Sequence, residues 1–140
     1  MPFLNVEREL AFYKECLNFE APDLRLSGRF MINLLSRIGE VKTDEEWRLS
    51  TSHLTLWFSS QYERDVMIEA LPYWQPHLMK KQIENVTGFF NIEYRMRHEN
   101  EPWPNARIKI AAKNVPEALA ILEIAFHDCH QMYFIAPNKQ

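Results

Sequence analysis

His53-Leu54-Thr55-Leu56-Trp57-Phe58, followed by Ser59-Ser60-Gln61-Tyr62-Glu63-Arg64-Asp65-Val66-Met67-Ile68-Glu69-Ala70-Leu71-Pro72, is the stretch that decides the fold. In its first part an apolar side chain falls at every second position, Leu54, Leu56 and Phe58, as in a strand with one buried face. Ser60 and Glu63 then have the spacing of a capping box, and Val66, Met67, Ala70 and Leu71 recur at helical intervals until Pro72 stops them. The expectation is a strand at 53–58 followed by a helix.

A fainter copy lies 54 residues further on, from His53 to Arg107. Leu54 and Leu56 align with Ile108 and Ile110, Ser60 with Asn114, and Glu63 with Glu117. Asn114 can cap a helix, Pro116 suits its first turn, and the apolar run to Phe126 has helical length. Phe90, Ile92, Tyr94 and Met96 alternate with Asn91, Glu93, Arg95 and Arg97, which is the clearest strand pattern in the chain. Met132 to Ile135 supplies a last strand. Met79, Ile83 and Val86 fit a short helix before Gly88. Two strand–helix units, each closed by a strand, spell an α+β domain with a ferredoxin-like β-α-β-β-α-β order, an antiparallel sheet and helices on one face.

Upstream, Asn5 stands where an N-cap belongs, and Val6, Leu10, Tyr13 and Leu17 form the stripe of a helix over 5–19, with Arg8 and Glu15 facing water. Met31, Leu34, Leu35 and Ile38 make a second stripe, closed by Gly39. Asp44, Glu45 and Glu46 read as a solvated helix start. The chain is thus expected to be one domain over 1–140, with an N-terminal helical hairpin at 1–39 and the ferredoxin-like core at 53–135.

With 140 residues and 46% hydrophobic residues, the chain has the material for one core. No apolar run is long enough to span a bilayer, and the start lacks a basic, apolar and small-residue leader, so a cytoplasmic protein is expected. Cys16 and Cys129 are too few and too far apart for a disulfide framework. Three glycines and no phosphate-loop motif disfavour nucleotide enzymes, and no cofactor is expected. The net charge of −3 lacks the field of a dedicated nucleic-acid binder, so any anion-binding surface must be local.

Such a surface is expected on the sheet face turned from the helices, where His53, Thr55 and Trp57 would lie beside Arg107 and Lys109, with Asn91, Glu93, Arg95 and Arg97 extending it. A basic sheet with an aromatic can stack a base and hold a phosphate. The segment Gly88-Phe89-Phe90-Asn91-Ile92-Glu93-Tyr94 resembles the aromatic strand of RNA-recognition motifs, though Thr87 and Asn91 depart from it. His53-Leu54-Thr55 resembles the H-x-T element of phosphoesterases that carry two copies. Here the second lobe offers Arg107-Ile108-Lys109, which lacks a titrating imidazole. The competing expectation is that the N-terminal helix pair or a second subunit covers this face, with Trp57 as a packing residue.

His127-Asp128-Cys129-His130 is the densest group of metal-capable side chains, but His127 and His130 also suit a helix C-terminus, and no metal site is assigned. Trp103, between Pro102 and Pro104 and flanked by Glu99 and Glu101, has the character of a contact anchor on a stiff acidic loop, as do Tyr73 and Trp74 between Pro72 and Pro76. The function expected is a non-catalytic protein-binding module of inhibitor, immunity or adaptor type, bacterial or viral in kind, acting as a homodimer. The alternatives are a nucleic-acid or nucleotide binder using Trp57, Arg95, Arg107 and Lys109, and a phosphoesterase-like enzyme using His53.

Overall fold

The segment from Trp47 to Ala70 folds as three consecutive strands. The computed structural model describes residues 2–60, 64–70, 90–95 and 107–127. In chain order these form β1 (Phe3–Leu4), α1 (Val6–Glu15) with a 3-10 turn (Cys16–Asn18), and α2 (Pro22–Leu35) with a 3-10 turn (Ile38–Glu40). There follow β2 (Trp47–Ser52), β3 (Thr55–Ser60), β4 (Asp65–Ala70), β5 (Phe90–Arg95), β6 (Arg107–Ala112) and α3 (Val115–His127). The strands form one mixed sheet in the order β1-β2-β3-β4-β5-β6, antiparallel throughout except that β1 runs parallel to β2.

This is an α+β fold with a meander, which corrects the ferredoxin-like expectation. The helix expected after Ser60 is β4. Val66, Ile68 and Ala70 satisfy a period of two as well as Val66, Met67 and Ala70 satisfy a helical one, and β-branched Val66 and Ile68 favour the pleated surface. Pairing decides, because Phe58 opposes Val66 and Leu56 opposes Ile68 on one side, while Tyr94 and Ile92 oppose the same residues on the other. Ser60 caps a turn instead of a helix: its hydroxyl accepts the Arg64 N–H at 3.3 Å, and its own N–H donates to the Arg64 carbonyl at 3.0 Å. The expected helix start at Asp44–Glu46 is likewise an irregular lead into β2, where the Thr43 hydroxyl accepts the Glu45 N–H at 3.2 Å and the Trp47 indole N–H at 3.1 Å.

The three α-helices of the described residues lie on one side of the sheet. Trp47, Leu49, Leu56, Phe58, Val66, Ile68, Ala70, Phe90, Ile92, Tyr94, Ile110 and Ala112 share one face by register and are buried. Phe126 of α3 packs on Trp47, Phe58 and Phe3 with ring centroids 4.6, 5.1 and 5.6 Å apart, and Phe30 of α2 lies 6.3 Å from Phe90. The N-terminal helix pair therefore packs beside α3 and not on the opposite face. The second half of the expected repeat holds, for the Asn114 side chain accepts the Glu117 N–H at 2.8 Å and caps α3.

The N-terminal hairpin forms as expected, with local differences. Asn5 has left-handed backbone, φ 72°, and makes no side-chain cap; its amide reaches the Leu49 carbonyl at 3.5 Å instead. Arg8, expected to face water, donates to the same carbonyl at 3.3 Å and to Glu9 at 3.3 Å. These two side chains cover the part of the β2 edge that the two-residue β1 leaves bare. Leu17 is exposed, outside the core it was expected to join, because the chain tightens into a 3-10 turn at Cys16. Gly39 lies inside the second 3-10 turn rather than closing α2. The expected helix before Gly88 and the last strand at 132–135 lie outside the described residues.

Candidate functional site

The sheet face turned away from the helices is built by the alternate residues of each strand. Along its centre, register aligns Ser50, Trp57, Met67, Glu93 and Lys109 in one cross-strand row. On one side run Ser52, Thr55, Glu69, Asn91 and Ala111; on the other run Arg48, Ser59 and Asp65, with the backbone of Arg95 and Arg107 continuing the row. Neighbours in a row have Cβ atoms about 5 Å apart, so each row is a continuous line of side chains.

Two carboxylates on this face, Glu69 and Asp65, are held by neighbouring donors. The Thr55 hydroxyl and the Asn91 amide donate to the two oxygens of Glu69 at 3.1 and 3.3 Å, and the Ser59 hydroxyl donates to Asp65 at 3.1 Å. Glu93 keeps only 5% of its side chain exposed, whereas Lys109, whose ammonium lies 4.0 Å from it, keeps 63%. Arg64 meets Glu45 at 3.4 Å at the end of the face. Trp57 and Met67, opposite one another on β3 and β4, are half-buried between these fixed charges.

This arrangement differs from the expected surface in the placement of Lys109, His53, Phe90 and Tyr94. Lys109 does not lie beside Trp57, because β4 and β5 separate their strands and three strand spacings of about 4.8 Å intervene. Asp65, Glu69 and Glu93 lie on the two strands between, so acids separate Lys109 from Trp57. Phe90 and Tyr94, the aromatics of the RNA-recognition resemblance, point into the core and are fully buried, unavailable for stacking. His53 is not on the strand at all. It and Leu54 are the two central residues of the β2–β3 turn, with φ 52° and 67°, and His53 projects at the exposed tip. The second H-x-T lobe at 107–109 belongs to β6, so the two lobes do not meet.

His127 ends α3 and is exposed; Asp128, Cys129 and His130 lie outside the described residues. Among the described residues no group of three His, Cys, Asp or Glu side chains is placed to hold a metal ion. Cys16 is buried between α1 and α2, and burial pushes its thiol upward, away from thiolate reactivity. No helix among the described residues is long and apolar enough to cross a membrane. Trp103, Tyr73, Trp74, Glu99, Glu101 and Arg97 also lie outside the described residues, and of Arg95 and Arg107 only the backbone is described.

Arg48, Ser59, Met67 and Glu69 escaped the sequence reading. Their signal was present in the alternation of Trp47, Leu49 and Thr51 with Arg48, Ser50 and Ser52, and of Val66, Ile68 and Ala70 with Met67 and Glu69. Against known protein families, curated proteins and solved structures, the chain matches none.

Proposed function

We propose that this chain is a non-catalytic protein-binding module that occupies a partner's surface through the sheet face opposite the described helices. The observation that supports it is the Trp57–Met67 cross-strand pair, half-buried in the middle of a face where Glu69 and Asp65 are already held by neighbouring donors. Aromatic residues, Met and Arg are enriched in protein interfaces, and an apolar centre bordered by charges of both signs has that composition. Ordering Glu69 and Asp65 on binding costs little side-chain entropy, because Thr55, Asn91 and Ser59 already fix them. Trp103, Tyr73 and Trp74, with Glu99 and Glu101, are proposed from the sequence as additional anchors, and a homodimer as the working unit.

The test is site-specific photo-crosslinking in the cells that make the protein. A photoreactive residue at position 67 is expected to give a discrete protein adduct, and one at position 29, on the exposed side of α2, none. Trp57→Ala should reduce the adduct about thirtyfold in affinity terms, the loss typical of an interface anchor. Equal labelling from positions 67 and 29, or labelling of nucleic acid from position 67, refutes the proposal.

A further inference from the structure

At the corner of the same face where β1, β2 and β3 meet, a hollow of about 250 Å3 is lined by Leu4, Glu46, Arg48, Ser59 and Ser60. That volume suits a small metabolite and falls below the usual range of a drug-sized pocket. Its two charged side chains are of opposite sign and both are left for a ligand. Arg48 and Glu46 are both exposed, line one hollow, and form no ion pair with one another or with any other described residue. Glu45 and Asp65 nearby are engaged, with Arg64 and Ser59 respectively.

We propose that this hollow binds a small zwitterion bearing a carboxylate, an ammonium group and an apolar side chain, an α-amino acid in chemical class. The guanidinium fork of Arg48 donates two parallel hydrogen bonds to a carboxylate, a geometry an ammonium cannot supply. Glu46 accepts from the ligand's ammonium. Ser59 assists it, because its hydroxyl proton is directed to Asp65 and its oxygen lone pairs are left for a donor. Leu4 offers the apolar wall. Opposite charges that share a cavity without pairing recognise a ligand carrying the complementary charges at a matching separation, and a singly charged ligand leaves one of them unanswered.

The test is a titration of the 15N-labelled protein followed by NMR, with leucine, N-acetylleucine and leucinamide as probes. Leucine is expected to move the amide resonances of residues 46–48 and 59–60 saturably. Each derivative, lacking one charge, should bind at least about tenfold more weakly, the weight of one charge-assisted hydrogen bond. Arg48→Ala and Glu46→Gln should each weaken leucine binding to a similar extent while the rest of the spectrum stays unchanged, and Arg48→Lys should restore only part of it. The proposal is overturned if leucine gives no saturable shifts up to about 20 mM, a concentration that detects even millimolar binding. It is equally overturned if either derivative binds as well as leucine, or if the folded variants bind it as the native protein does.

Discussion

Gly28 to Ala is a substitution for which helix propensity and packing forecast opposite signs. Gly28 lies inside α2, where Ala is favoured over Gly by about 1 kcal/mol. Yet α1 and α2 touch through it: a Cβ there would stand 2.9 Å from the Cys16 Cβ and 3.0 Å from the Tyr13 carbonyl oxygen. Carbon atoms pack best at about 3.5–4.0 Å, so the helices must part by more than half an ångström. Neither neighbour is a flexible tip, because one is a carbonyl of α1 and the other a Cβ anchored at the start of its 3-10 turn. Parting them also strains the Tyr13 hydroxyl, which donates across to the Leu54 carbonyl at 3.1 Å. Overpacking of this kind costs about 1–3 kcal/mol directly, and loosening the buried Tyr13 contact adds about 1 kcal/mol. Set against the propensity gain, the net expectation is a loss of about 1–3 kcal/mol in urea unfolding, with the m-value unchanged. Arg29→Ala, one residue on and exposed, should stay within about 0.5 kcal/mol of the native protein. A Gly28→Ala variant as stable as the native chain, or more so, refutes the close approach of α1 and α2.

His53→Gly should stabilise the protein by about 0.5–1 kcal/mol in the same assay, since relief of a left-handed non-glycine residue outweighs the extra entropy of the unfolded chain; a loss of stability would show instead that the imidazole makes a stabilising contact. Alkaline pH supplies another check. Burial pushes both Cys16 and Tyr13 upward from their ordinary values of 9.0 and 10.0, so the unfolded chain releases protons that the folded one retains. Their contribution is complete below pH 9 and is lost as pH rises above the two ordinary values. The urea midpoint should hold steady from neutrality to about pH 8.5 and then fall, less steeply in Tyr13→Phe; identical slopes in the two proteins would contradict the burial of that phenol.

The sequence by itself determined the class of the fold and much of its furniture. Strands at 90–95 and 107–112, the Asn114 cap with α3, and the two N-terminal helices were legible because each buries one face at its own period within a single window. Residues 65–70 were not legible, since their apolar positions satisfy both periods and Ser60 suits a helix cap and a turn equally. Only the tertiary structure chose, by placing β3 on one side and β5 on the other, so that both backbone edges of that segment find ladder partners that a lone surface helix there would not have used. The candidate face shares this dependence. Trp57, Met67, Glu69 and Glu93 are scattered over 37 residues and become neighbours through strand register, which is set by pairings far apart in the chain and leaves no trace in local periodicity.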